Sequence, residues 1–329
     1  MININKQTKK MKQTDQSMSE ITLLTILSEF NLTDLFNQYV MELGEQQNLK
    51  NLFLSAYQIY MGGNRIGSVT RSRTPKNAAK FILKYIYSFL TMRQRPYYDE
   101  IQDRIDQDIY YQGLTDYQGL TELTYDNLHH LVSSTYSHGD RRIGLWALID
   151  RQEDGTIRCA YSNEVVETPE CVRCCKSDEE HLVPQSWHKG SQTHPGQDMH
   201  QIFIVSKSAN GSRGNYVFGE VDGTTPTHKV GGWVYSNEGD RKRFVPHHNV
   251  GAVCRATLYT LVAYEHTFHQ SYFPSESLEW IINKAVTEPV TLWEKHRNQE
   301  LFKLQTNRNP FIDHPEWASQ IDYTKGWVL

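Results

Sequence analysis

The sequence has no stretch long and apolar enough to cross a bilayer, which excludes a membrane-spanning helix. It has no surplus of positive charge either: 34 Lys and Arg stand against 38 Asp and Glu, a formal net charge of −4. That excludes a protein that coats nucleic acid by bulk charge, so any phosphate contact must come from a local basic patch. Cysteine is sparse and odd in number. There are five (Cys159, Cys171, Cys174, Cys175 and Cys254), so a monomer keeps at least one thiol unpaired. The opening residues MININKQTKKMKQTDQSMSE carry positive charge but no apolar segment behind it, unlike a signal peptide. The expected address is therefore cytoplasmic, with reduced thiols, export by another route being left open. No internal repeat or low-complexity block is present. Ordinary hydrophobic and aromatic contents of 38% and 12% across 329 residues are enough for a substantial core and argue against extensive disorder.

Three regions are expected. Residues 1–19 are polar and read as a flexible tail. Residues 20–103 read as a small all-helical module: Ile21, Leu24, Leu27 and Phe30 recur at helical spacing, and Thr74-Pro75 opens a second helix that Pro96 closes. Residues 104–329 form the third region. Helices are expected over 120–131, 250–268 and 276–285, and strands over 143–149 and 156–161, joined by the turn Glu153-Asp-Gly155. Within the second region, Gly63 to Tyr97 has no Asp or Glu but contains Arg65, Arg71, Arg73, Lys76, Lys80 and Lys84, followed by Arg93 and Arg95. This stretch suits a solvated helix face balanced by acids elsewhere, a phosphate-binding surface, or, given Tyr85, Tyr87 and Phe89, an anionic membrane surface. The six residues from Arg65 to Lys84 are the candidates for nucleic-acid contact.

The chemistry is concentrated in Glu179-Glu-His-Leu-Val-Pro-Gln-Ser-Trp187, Asp198-Met-His-Gln-Ile202 and Ala209-Asn-Gly-Ser-Arg-Gly-Asn-Tyr216. Phosphodiester hydrolysis needs a base of near-neutral pKa to take a proton from water, and a divalent cation to neutralise charge on the phosphoryl oxygens. Mg²⁺ takes oxygen ligands and keeps several waters, so one carboxylate and one amide oxygen can suffice. His181 suits the base, Glu180 the carboxylate and Asn210 the amide. Adjacent strand residues point to opposite faces, so Glu180 and His181 can share a site only where the backbone bends. A short helix between Val205 and Tyr216 would put Asn210 and Arg213 on one face. Cys171-x-x-Cys174-Cys175 has a spacing that can suit zinc, but no second ligand pair is evident, so structural zinc is not expected.

These motifs resemble the endonuclease I family, non-specific nucleases of the bacterial periplasm and exterior. Its pattern is an E-H-V-x-P run, a D-L/M-H-N/H run and N-x-x-R-x-N. The likeness extends to Tyr110-Tyr-Gln-Gly-Leu114, Gly251-Ala-Val-Cys-Arg-Ala-Thr-Leu-Tyr259, Trp293-Glu-Lys-His-Arg-Asn298 and Gln305-Thr-Asn-Arg-Asn-Pro-Phe-Ile-Asp313, in family order over about residues 105–323. It implies an α+β fold with a ββα-metal (His-Me finger) core in a mostly helical domain. It further implies His181 as general base, Glu180 and Asn210 on Mg²⁺ (or Ca²⁺ or Mn²⁺), and cleavage of DNA, and often RNA, with little sequence preference, leaving 5′-phosphate ends. Arg213 and Arg255 are candidates for phosphate contact, with a buried salt bridge as the other reading of Arg255. Asp198, His200 and Asn215 are candidates for supporting roles around the site. Gln201 departs from the family's usual Asn or His. Asn307-Arg-Asn-Pro310 reads as a structural clamp on the C-terminal region. Two alternatives stand beside the nuclease: a nucleic-acid-binding protein on a decayed scaffold, and a nuclease directed by its N-terminal module. An intracellular nuclease also calls for restraint, by an inhibitor or regulatory protein.

Overall fold

The structure, a computed structural model, describes residues 96–114, 122–137, 144–167, 177–188, 195–236 and 242–328. The tail expected over residues 1–19, almost all of the module over 20–103, the basic residues Arg65, Arg71, Arg73, Lys76, Lys80 and Lys84, and the cysteines at 171, 174 and 175 lie outside the described residues. The remaining cysteines, Cys159 and Cys254, are buried free thiols.

Helix α1 (Glu100–Tyr111) is opened by Asp99, whose side chain accepts from the Gln102 amide at 3.0 Å. Thr124 caps α2 (Tyr125–Ser134) in the same way at 3.1 Å. The helix expected from residue 120 therefore begins later, where a side-chain oxygen can satisfy a first-turn N–H. The apolar run expected as a strand over 143–149 is instead helical over Gly144–Ile149, with every residue of that span buried. A short continuous apolar run has no period that separates a buried strand from a buried helix.

Strand β1 (Ile157–Arg158) pairs antiparallel with β2 (Val165–Glu167). Strands β3 (Ser177–His181) and β4 (Ile202–Ser206) form a second antiparallel pair, Ser177 opposite Ser206 and His181 opposite Ile202. The chain then passes straight into α3 (Lys207–Arg213): Ser206 is both the last strand residue and the N-cap, its hydroxyl accepting from the Ala209 amide. The outer edge of β4 is closed. The Ile204 amide donates to Asp150 Oδ2 at 2.6 Å and its carbonyl accepts from the Ala160 amide at 3.0 Å, so no further strand can add there.

A four-stranded sheet follows, in the order β5 (Val217–Phe218), β8 (Arg243–Pro246), β7 (Gly232–Tyr235), β6 (Thr227–Lys229). Its β6–β7 turn packs on α3. Gly231 there has φ of 83°, and a Cβ on it would come within 2.7 Å of the Ala209 Cβ. Both the positive φ and the close approach require glycine.

The core centres on α4 (Val250–Ala263), in which every residue after Val250 is buried, as expected of a helix apolar on nearly all sides. Around it lie α2, α5 (Ser275–Thr287), α6 (Leu292–Gln305) and α7 (Pro310–Asp313). Strands β9 (Phe268–His269) and β10 (Trp327–Val328) form a short parallel pair. The class is mixed α+β, with helices dominant.

Arg255 belongs to this core, which corrects its candidacy for phosphate contact. It is fully buried, with Nε and Nη2 on the two carboxylate oxygens of Glu294 at 2.7 and 2.9 Å. Its other N–H groups donate to the carbonyls of Ala285, Glu288 and Pro289, so no donor is left for a substrate. Glu294 also closes a capping box with Thr291 at the start of α6. The Asn307–Asn309 run is likewise structural. Arg308 bridges Asp103 of α1 and Asp313 of α7, each at 2.7 Å, and Asn307 donates to Tyr259 Oη at 2.7 Å.

Candidate active site

Strand β3 presents Asp178 and Glu180 to α3, because residues two apart share a face. Each finds one partner on the helix. The Asn210 amide donates to Asp178 Oδ2 at 3.2 Å, and Arg213 Nη1 donates to Glu180 Oε1 at 2.9 Å. The i, i+3 spacing of Asn210 and Arg213 thus matches the i, i+2 spacing of Asp178 and Glu180. Tyr161 adds a hydrogen bond from its hydroxyl to the same Glu180 oxygen at 2.9 Å. Glu180 Oε2 and Asn210 Oδ1 make no hydrogen bond among the described residues.

Glu180 is buried, and burial raises its pKa above the ordinary carboxylate value, with the Arg213 guanidinium and the Tyr161 hydroxyl opposing that rise. Burial also pushes Tyr161 well above the usual phenol value, so it stays a donor. Arg213 is 1% exposed, and besides Glu180 it donates to the carbonyls of His181 and Leu182. Its direct contact with phosphate is therefore corrected: the guanidinium is spent on holding Glu180 and the end of β3.

His181 ends β3, where the backbone leaves the strand at Leu182. The residue is 7% exposed, less open than a histidine on a concave surface. Its Nε2 lies 3.2 Å from the Gly196 carbonyl. The Gln185 side-chain amide nitrogen lies 3.0 Å from the same Nε2 and 3.2 Å from Nδ1. Gln201 holds this arrangement from below: its Nε2 donates to the Pro195 carbonyl, next to Gly196, and its Oε1 accepts from the Val183 amide at 3.3 Å. Gln201 thus ties Pro195 to Val183 within the connection between β3 and β4.

Asp198 and His200 sit one layer deeper. Asp198 accepts from the Tyr259 and Tyr264 hydroxyls, both at 2.7 Å, and from Gln305 Nε2 and the His200 amide, both at 2.9 Å. It shapes the turn that leads into β4 rather than touching Glu180 or His181. His200 Nε2 meets the Asn307 side-chain oxygen at 3.2 Å. Burial holds the His200 pKa below its ordinary value of 6.5. A depressed value means that its contribution to stability is complete above pH 6.5 and is lost as pH falls through the folded-state value. The melting temperature is therefore expected to fall between about pH 7 and pH 5, and to fall less in His200→Gln. Equal pH slopes for the two proteins would refute a buried neutral His200.

Asn215 is exposed. With Ser186, Trp187, Tyr216, Lys242 and Tyr272 it lines a cavity of about 460 Å³ beside the cluster. Asp178, Tyr161, Gln185, Gln201 and this cavity escaped the sequence reading as site features. Only Asp178 had a signal, its spacing of two from Glu180. The others reach the site from distant segments or from an irregular loop.

Among the described residues no three His, Cys, Asp or Glu converge as a metal-binding group. A cation here would rest on the unbonded oxygens of Glu180 and Asn210 and complete its shell with water. That donor set fits Mg²⁺, which needs few protein ligands, and does not fit zinc.

Comparison with known proteins shows a match to the family model described as Endonuclease I over residues 98–316. An extracellular ribonuclease of Bacillus subtilis (strain 168) is 36% identical over 150 residues, covering 40% of this chain and 49% of the relative. An extracellular ribonuclease of Bacillus amyloliquefaciens is 33% identical over 146 residues, 40% of this chain and 48% of its own. An extracellular deoxyribonuclease of Aeromonas hydrophila is 28% identical over 159 residues, 41% and 64%. The chain spans about half the length of the two Bacillus relatives. All three names place the relatives outside the cell, which overturns the cytoplasmic address expected from the N-terminal residues. That expectation rested on the composition of about twenty residues, a weaker signal than relatives matched over some 150.

Proposed function

The chain belongs to the endonuclease I family, and we propose that it hydrolyses phosphodiester bonds in DNA and RNA with the help of a divalent cation, acting outside the cell. The observation that carries the proposal is the β3–β4–α3 unit. It anchors Glu180 Oε1 and the amide nitrogen of Asn210, and leaves Glu180 Oε2 and Asn210 Oδ1 without a hydrogen bond among the described residues, with His181 next to Glu180 in the chain. This is the ββα-metal arrangement in our reading. The relatives include both ribonucleases and a deoxyribonuclease, which favours a site indifferent to the sugar.

Mg²⁺ held by Glu180 and Asn210 would neutralise charge on the phosphoryl and leaving oxygens. The chain's own residues do the rest. Tyr161 and Arg213 orient the Glu180 carboxylate and lower the cost of its ionisation in a buried place. Asp178 turns the Asn210 amide so that its oxygen faces outward. His181 takes the proton of the attacking water on Nδ1 while Nε2–H stays on the Gly196 carbonyl, which supports the imidazolium as it forms. As the water oxygen bonds to phosphorus, the P–O3′ bond breaks, O3′ takes a proton from solvent and leaves as the upstream 3′-hydroxyl, and the downstream fragment keeps a 5′-phosphate.

The test is direct. The full-length protein is incubated with supercoiled plasmid or with single-stranded RNA, in Mg²⁺ or in EDTA. Nicking and degradation of both substrates in Mg²⁺, abolished by EDTA and yielding ends that a 5′-phosphate-dependent ligase accepts, are expected. Cleavage undiminished in EDTA, or 3′-phosphate ends, would overturn the mechanism.

A further inference from the structure

The cavity of about 460 Å³ beside the cluster is built from three segments. Ser186 and Trp187 follow Gln185, whose amide lies at the His181 ring. Asn215 and Tyr216 come just after Arg213, which holds Glu180. Lys242 and Tyr272 close the opposite side. Two walls thus begin within two residues of groups that hold the catalytic cluster.

The walls are flat and aromatic. Trp187 and Tyr272 stack in parallel, centroids 4.9 Å apart and planes 4° apart, and Phe273 braces Trp187 edge-on at 5.3 Å. Tyr272 and Tyr216 are both half-buried, so part of each ring stays open to solvent. Lys242 is exposed, its ammonium 5.7 Å from the Tyr216 ring centroid. The exposed Ser186 hydroxyl and Asn215 amide supply donors and acceptors at the rim. Such pockets, aromatic with a few placed polar groups, bind flat heteroaromatic ligands. Arg213 and Arg255 are both committed inside the protein, and among the described residues Lys242 is the cation that lines this cavity.

We infer that this cavity is a nucleobase subsite: it takes the unstacked base of a nucleotide adjoining the scissile phosphate, with Lys242 on the neighbouring phosphate. The inference rests on the nuclease reading above and deepens it. A base reaches the aromatic walls only when it has left its stack, so the subsite selects single-stranded or locally opened nucleic acid. Stacking is tolerant of base identity, which gives strand selection without sequence selection.

The test measures kcat and KM of the full-length protein in Mg²⁺ on a single-stranded 12-mer, on the same strand in a duplex, and on the same single strand with an abasic residue beside the cleaved bond. Tyr272→Ala and Tyr216→Ala are each expected to raise KM for the single strand by roughly tenfold, the size of one lost base–aromatic contact. They should narrow the preference over duplex and change hydrolysis of the abasic strand little. Lys242→Ala should flatten the salt dependence of KM. In the wild type, an abasic residue beside the cleaved bond should raise KM by at least that same roughly tenfold factor, with little further loss in the tyrosine variants, because the base that the tyrosines contact is already gone. The abasic strand needs no variant, so its result stands even where a substitution fails to fold. Unchanged KM for abasic and intact strands, with nucleic acid still cleaved, overturns the subsite and leaves the nuclease reading intact. A folded wild type that cleaves none of these strands overturns both.

Discussion

Replacing His181 with alanine is expected to lower kcat for plasmid and RNA cleavage by a factor of about 10² to 10⁴, the range for loss of a positioned general base. The effect should fall on kcat rather than KM, because the imidazole acts on water and does not hold the polynucleotide. The environment of His181 sharpens the expectation. The Gly196 carbonyl lies 3.2 Å from Nε2, and the Gln185 amide nitrogen lies 3.0 and 3.2 Å from Nε2 and Nδ1. His181→Asn keeps polarity in a nearly closed place without a usable base, and should be as inactive as the alanine variant. Because His181 is buried, thermal melts must accompany the assay. A folded variant retaining more than about a tenth of wild-type kcat would remove His181 from the role of base.

Arg213→Met should give the second large effect, on stability and activity together. The Arg213–Glu180 pair is buried on both sides. Removing one partner of such a pair typically costs about 3–5 kcal/mol, since the other charge is left uncompensated. For a chain of this size that corresponds to a melting temperature lower by roughly 10 °C. Activity should fall for a distinct reason. Burial already raises the Glu180 pKa, and Arg213 is the largest influence opposing that rise. Without it the carboxyl holds its proton to higher pH and is a poorer metal ligand.

The sign follows from linkage. A raised folded-state pKa makes Glu180's contribution to stability complete below its unfolded value of 4.5 and progressively lost as pH climbs through the folded value. In Arg213→Met that loss should extend to higher pH. The acidic limb of the activity profile should move upward too, with partial recovery in alkaline buffer or at high Mg²⁺. A purely structural arginine would lower the melting temperature and leave the pH profile in place. Lysine should rescue poorly, because one ammonium cannot serve Glu180 and two carbonyls from the arginine's geometry.

Local periodicity made the short helix after β4 legible in the sequence. The helix following Ser206 places Asn210 and Arg213 on one face, and the pair does meet β3 together. Where local pattern was silent, the reading erred. Gly144–Ile149 has the composition of a strand and folds as a buried helix, because its surroundings impose no alternation. The sequence left Arg213 and Arg255 both as candidates for phosphate contact, with a buried salt bridge as the other reading of Arg255, since nothing local says whether a guanidinium meets solvent or a buried carboxylate.

The sequence by itself determined the family, the α+β class and the identity of the residues nominated for chemistry, because these depend on residue types at short spacings that the chain keeps whether folded or not. The tertiary structure alone decided which arginines are free, how His181 is tethered, and that Trp187, Tyr216 and Tyr272 face one cavity. Those are questions of burial and of contact between residues dozens of positions apart, and only the packing of α4 and the closing of β3 against β4 and α3 brings such residues together.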